Sequence, residues 1–268
     1  MLFYLLLVSG ILRAQNTADS IANAEPGTSA DDPSQFFTRT ELFSEWQHYN
    51  RNASEYNLNQ TTLRTVVKLG KRFTTRLDVP VVYNSFDSPN NFKQFGLGDI
   101  SFRLLGYKFL QTKKSAITAS MEISLNTAQS PLLGTGKNML LPMFTYTTAA
   151  MDKRMLLAVV LQEAFSFSGD EAREPLSFTK LQGIMLYSLS PKTWIVVAPE
   201  MYLDYVHGGA SMNLEARFAY APVKRVNIWV QAGSGMFGDF VARYQWGGEA
   251  GCRYFFLRNT MIKRKRSN

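Results

Sequence analysis

Long runs of alternating polar and apolar residues, cut by short basic turns, constrain this chain more than any other feature. The turns are Gly70-Lys71-Arg72, Lys113-Lys114, Asp152-Lys153-Arg154, Pro191-Lys192-Thr193 and Lys224-Arg225. Each interval holds two strand-like runs and a second, usually longer, connection. These connections lie near residues 49–57, 84–96, 129–138, 169–175, 207–210 and 237–242. They carry Asn, Asp, Ser, Gly and Pro, the residues that turns favour. The pattern predicts twelve strands, near 36–48, 58–69, 72–83, 98–110, 115–127, 139–151, 155–167, 176–189, 193–206, 211–222, 225–236 and 243–256. Such runs exceed the roughly five or six residues usual in soluble strands. They match the roughly nine to eleven that a tilted strand needs to cross a bilayer, plus ends.

The alternation has period two, with charge on one face. In 58–69, Gln60, Thr62, Arg64 and Lys68 oppose Leu63, Val67 and Leu69. In 72–83, Arg76 and Asp78 oppose Phe73, Leu77, Val79, Val81 and Tyr83. In 98–110, Asp99, Ser101 and Arg103 oppose Ile100, Phe102 and Leu104; in 115–127, Thr118, Ser120, Glu122, Ser124 and Asn126 oppose Ile117, Met121, Ile123 and Leu125. In 193–206, Glu200 and Asp204 oppose Ile195, Val197, Met201 and Leu203; in 211–222, Asn213, Glu215 and Arg217 oppose Met212, Leu214, Phe218 and Tyr220. In 243–256, Arg243, Gln245, Glu249 and Arg253 oppose Tyr244, Trp246, Ala250, Tyr254 and Phe256. The runs 139–151, 155–167 and 176–189 alternate poorly and 225–236 only partly, so Glu163 and Lys180 fit either face.

The expected fold is all-β: an antiparallel up-and-down transmembrane β-barrel of about twelve strands. Short turns on one side and longer loops on the other are the asymmetry of outer-membrane barrels, whose short turns are periplasmic. An even strand number returns both ends of the barrel to that side. Aromatics near the turns, Phe73, Tyr107, Phe109, Tyr187, Trp194, Tyr220, Tyr254 and Phe256, fit an interfacial girdle. A soluble sandwich would need shorter strands at closer spacing.

Composition agrees. Of 268 residues, 13% are aromatic and only 19% charged, and mean hydropathy is slightly negative. No apolar run approaches the roughly 20 residues of a transmembrane helix. The net charge of +8 comes from scattered residues apart from Lys263-Arg264-Lys265-Arg266, so no basic face for nucleic acid is evident. One cysteine, Cys252, allows no intramolecular disulfide and no Cys-based metal site. Two histidines, His48 and His207, leave little scope for metal binding, and no cofactor is expected.

Residues 1–14, MLFYLLLVSGILRA, resemble a secretory signal peptide without a basic n-region. Residues 15–34 are polar, mildly acidic and free of aromatics, which predicts a flexible periplasmic lead-in. The barrel is expected over 35–257 and a basic tail over 258–268.

If the apolar face meets lipid, the other lines the lumen. The lumen set is Arg64, Lys68, Arg76, Asp78, Asp99, Arg103, Glu122, Glu200, Asp204, Glu215, Arg217, Glu249 and Arg253. Unpaired charge is costly to take out of water, so these groups pair across strands or stay wet. Twelve strands exceed the eight whose interior side chains fill, but fall short of a sixteen-stranded porin. Basic residues gather on early strands and acidic ones on late strands, which polarises the lumen from side to side. A narrow polar passage and a salt-bridged closed interior both follow. Catalysis has little support: Asp204 and His207 share a strand end, but no nucleophile elbow is visible. Gly233, Gly235 and Gly238 precede no helix and make no phosphate loop; Gly247, Gly248 and Gly251 read as bending positions.

The segment Gly96-Leu97-Gly98-Asp99-Ile100-Ser101-Phe102-Arg103, continuing to Tyr107-Lys108-Phe109-Leu110, resembles the G-x-G-D strand of the "MetA-pathway of phenol degradation" family of transporter-like barrels. Leu77-Asp78-Val79-Pro80-Val81-Val82-Tyr83 resembles that family's preceding strand. The likeness covers residues 70–110 and elsewhere only the hairpin layout. It implies an outer-membrane barrel that passes small, often apolar or aromatic molecules, and supplies no catalytic set. Barrels of this kind end on an aromatic, here Phe255 or Phe256, whereas this chain continues from Leu257 to Asn268. The expected partners are outer-membrane lipid, the barrel-assembly machinery and a small solute. The alternatives are a closed structural barrel without flux and an outer-membrane hydrolase.

Overall fold

A computed structural model describes residues 28–51, 54–86, 92–112, 114–151, 154–238 and 244–256. The expected signal peptide and basic tail lie outside these residues. The strands are β1 (Arg39–Arg51), β2 (Ser54–Leu69), β3 (Phe73–Phe86), β4 (Phe92–Leu97), β5 (Ser101–Gln111), β6 (Ser115–Ser124), β7 (Lys137–Ala150), β8 (Met155–Gly169), β9 (Ser177–Ser190), β10 (Thr193–Asp204), β11 (Ala210–Val223), β12 (Val226–Phe237) and β13 (Trp246–Phe255). Every sequential pair from β5 onward is antiparallel, β1 pairs with both β2 and β13, and β2 pairs with β3. The sheet therefore closes into a twelve-stranded antiparallel barrel with β4 as one extra strand.

β4 explains why the fourth run is not a simple strand. β3 pairs with β5 along Phe73–Asp78 and with β4 along Val81–Phe86. β4 and β5 thus follow each other along one edge of β3, separated by Gly98, Asp99 and Ile100. The connection expected over 84–96 is largely hairpin, and the strand expected from 98 begins at Ser101. The loop after β6 fills the gap: Gln129 N–H donates to the Leu97 carbonyl (3.1 Å) and Leu125 N–H to the Ile100 carbonyl (2.9 Å). Covering an open edge this way satisfies backbone groups that would otherwise have no partner.

The pleat sends alternate residues in and out. Leu42, Leu63, Phe102, Phe144, Val159, Phe218 and Val230 are all exposed on the outer face, an apolar band around the barrel. Most charged strand residues fall inside. The weakly alternating runs are strands as well. Along β7–β10 the inner face carries Met139, Ala158, Val160, Ala164, Leu186, Val196 and Ala198, all buried, so both faces are apolar and the period is hidden. There Lys180 points inward and pairs with Glu200 (2.7 Å). Glu163 points outward, accepting from the Thr179 hydroxyl (2.7 Å).

Two expected outward aromatics face inward. Trp194 is fully buried inside the barrel, not in an outer girdle. Tyr244 precedes β13, and its hydroxyl donates to Glu215 (2.8 Å). Phe255 is likewise buried, while Phe256 is exposed.

Candidate functional site: the barrel lumen

The inner wall carries an alternating chain of charges from β11 round to β6. Arg217 on β11 pairs with Glu249 on β13 (2.9 Å). Arg253, also on β13, donates through Nε to Glu41 on β1 (2.8 Å), which also holds Arg39 (2.5 Å). Glu41 lies 3.8 Å from Arg64 on β2, and Arg64 makes a bidentate pair with Asp78 on β3, both bonds 2.9 Å. Asp78 is 3.2 Å from Arg76, which reaches Glu122 on β6; Glu122 lies 3.6 Å from Arg103 on β5. Planar guanidinium groups suit such forks because one cation can serve two carboxylates. Register fixes the order: Glu41 lies opposite both Arg253 and Arg64, and Arg64 opposite Asp78.

One link comes from outside the wall. Thr28–Asp31 form a short 3-10 turn, so the last part of the lead-in expected to be flexible is bonded to the barrel. Asp31 accepts from the Trp194 indole N–H (2.6 Å), from Arg253 (3.1 Å) and from Arg217 (3.4 Å). Arg253 also donates to the Ala30 carbonyl (2.9 Å). Trp194 is the second residue of β10 and Arg253 lies near the end of β13, so this turn sits in the short-turn half of the lumen. Ala30 packs into a buried cluster with Trp194, Trp229, Phe255 and Ala219.

A second group is predominantly acidic. Glu45 and Glu249 are directly opposite in register, an arrangement that is unfavourable for like charges. Glu215 accepts from Gln231 (2.7 Å) and Tyr244 (2.8 Å). Glu200 accepts from Lys180, from Gln182 (2.5 Å) and from Tyr202 (2.8 Å). Amides and hydroxyls thus supply donors where arginines are few. A cavity of about 100 Å³ lies here, lined by Asp31, Gln182, Glu215, Arg217, Gln231 and Val196 among others. At roughly 30 Å³ per water it has room for a few solvent molecules.

Three expected lumen residues sit apart from the chain. Lys68 lies on the inner face near the short-turn end, half-buried. Asp99 is not on a wall strand but in the break between β4 and β5. Its carboxylate accepts from the backbone N–H groups of Thr127 (3.2 Å), Ala128 (3.2 Å) and Thr135 (2.6 Å) and from the Thr135 hydroxyl (2.9 Å). Gly134 permits this approach, since a Cβ there would lie 2.6 Å from the Asp99 carboxyl carbon. The G-x-G-D segment therefore anchors a loop. That loop turns into the mouth: Asn84, buried on β3, donates to the Leu132 carbonyl, and Leu133 is buried.

Asp204 ends β10. It accepts from Val206 N–H (2.8 Å) and from His207 N–H (3.3 Å), and its second oxygen holds His207 Nδ1 (2.9 Å). His207 Nε2 meets Glu174 (2.8 Å). The hydrogen bond to Asp204, then that to Glu174, raises the His207 pKa above its ordinary 6.5. Both ring nitrogens face carboxylates, so neither addresses a hydroxyl nucleophile as a hydrolase base would.

Sequence reasoning missed Asp31, Arg39, Glu41, Glu45, Trp194 and Tyr244. Asp31 lay in a polar segment without period, no faces were assigned along 36–48, Trp194 was expected in the girdle and Tyr244 on the outer apolar face.

No family model matches the chain, and no curated protein matches it. Solved structures do. The COG4313 outer membrane channel from Pseudomonas putida F1 superposes with a TM-score of 0.69 at 12% identity, covering 89% of this chain and 100% of that one. NanC porin gives 0.56 at 9% identity, covering 81% and 100%. KdgM porin gives 0.54 at 11% identity, covering 82% and 99%. At these identities the likeness is one of fold: the chain has the barrel architecture of outer-membrane channels and porins.

Proposed function

We propose that this chain is an outer-membrane barrel for passive passage of small solutes through a narrow, charge-lined lumen. The observation that carries this is the inside-out pattern: an apolar outer band encloses an ion-paired inner wall in a closed twelve-stranded barrel. The fold likeness to the COG4313 channel and the porins supports it. So does the resemblance of residues 70–110 to the MetA-pathway family, which adds small apolar or aromatic molecules as the solute class. In this reading residues 1–14 direct export, the short turns are periplasmic, and barrel-assembly machinery inserts the chain in the outer membrane.

A closed structural barrel is the second reading. It is favoured by Asp31, which ties Thr28–Asp31 across one half of the lumen, and by the 127–135 loop folded into the other mouth. Planar-bilayer conductance decides between them. Single-channel steps from barrels proved folded by heat-modifiable gel mobility support passage; folded barrels silent at every voltage defeat it.

A further inference from the structure

We propose that Arg217, Arg253 and Trp194 form a carboxylate-binding site on the lumen wall, occupied here by the chain's own Asp31, whose external ligand is a small organic acid with an apolar body. The proposal deepens the transport reading and rests on it.

The donors come from β11, β13 and β10 and converge on one carboxylate. Each guanidinium is held without help from Asp31. Arg217 is fixed by Gln231 (2.9 Å) and Glu249, and Arg253 by Glu41. Both lie over the Trp229 ring, at 5.4 and 5.1 Å from its centroid. Trp194 is packed on all sides. The wall thus presents its donors already oriented, which lowers the ordering cost of binding an anion.

Arg217 and Arg253 keep Glu249 and Glu41 as partners here, and Glu215 lines the same cavity, so the convergence of the donors rather than a surplus of positive charge selects the ligand. Guanidinium–carboxylate bonds are the strong, charge-assisted kind.

Shape defines the rest of the ligand. Asp31 brings Ala30 with it, and the Ala30 methyl lies among Trp194, Trp229, Phe255 and Ala219. The pair therefore presents an apolar group beside a carboxylate. The cavity of about 100 Å³ beside Asp31 extends the space available to a larger body.

The test uses the full chain in phosphatidylcholine vesicles, with benzoate and the neutral, equally shaped benzamide as probes. Calorimetric titration of Asp31→Asn is expected to show saturable benzoate binding and none of benzamide. Wild type should bind benzoate roughly tenfold or more weakly, and Arg217→Gln added to Asp31→Asn should lose a similar factor, the loss expected of one charge-assisted bond. Asp31→Ala serves in parallel as a second vacated site, and gel mobility confirms that each variant folds. Folded variants that bind neither probe, or both alike, overturn the proposal and leave Asp31 as a structural strap. Conductance of the same variants separates the two readings. Conducting barrels without benzoate binding keep the transport reading and sink the site; benzoate binding in silent barrels does the reverse.

Discussion

The inner wall has two arcs built on different rules. From β11 through β13 to β6, charged residues alternate sign from strand to strand. From β7 to β10 many inward positions are Ala, Val, Leu or Met, among them Met139, Ala158, Val160, Ala164, Leu186, Val196 and Ala198. The charged arc holds itself together by ion pairs, each of which relies on the next. The apolar arc relies more on packing, its polar pairs gathering around Glu200. Thr28–Asp31 lie where the arcs meet, with Ala30 in the apolar cluster and Asp31 on the arginines.

The largest effect is expected at Glu41. Glu41→Ala leaves Arg39 and Arg253 buried with no carboxylate between them, a loss of about 3–5 kcal/mol for a broken buried pair. Urea unfolding in lipid vesicles measures it; an unchanged midpoint would mean that lumen water solvates the arginines and that the arcs differ less than their contacts suggest. Next is Gly251→Val in the charged arc. A Cβ there would lie 2.4 Å from the Trp229 ring and 2.6 Å from Phe43 Cβ, and overpacking of this kind costs about 1–3 kcal/mol. The same unfolding assay should show it, with a smaller loss when Gly251→Val is made on a Trp229→Leu background than on wild type. On the apolar arc, Val160→Thr buries a hydroxyl at a buried inward position, for a loss of about 1 kcal/mol. No loss there would indicate a wet wall.

The smallest effect belongs to His207, outside both arcs. Its two hydrogen bonds raise its pKa, so the loop bridge it makes is complete below pH 6.5, its ordinary value. The bridge weakens as pH rises through the elevated value. Histidine resonances followed by NMR should titrate above 6.5 and move back toward it in Glu174→Gln. Identical curves for the two proteins would remove the bridge between loops.

The two arcs also separate what was legible from what was not. In the charged arc Arg64, Asp78, Glu122, Arg217 and Arg253 alternate with apolar neighbours, so strand, face and register follow from the residues. In β7–β9 Met139, Ala158, Val160, Ala164 and Leu186 make stretches of the inner face apolar, so turns delimit the strands while the faces stay hidden. Asp99 fits the period of its run, yet Gly98 stands where the ladder breaks, and a period cannot report a break. Asp31 stands outside any period, because its role depends on strands more than 160 residues away along the chain.

One pairing has a consequence for how the barrel is made. Arg253 and Glu41 are separated by 212 residues and sit on the two strands that close the sheet. Contacts this distant form slowly, because the loop entropy is lost before the contact rewards it. Until β13 meets β1, Glu41 faces an open edge and Arg253 has no carboxylate on its neighbour. The bond therefore marks completion: a chain truncated before Arg253 leaves Glu41 to Arg39 and Arg64 alone, and its seam has nothing to lock.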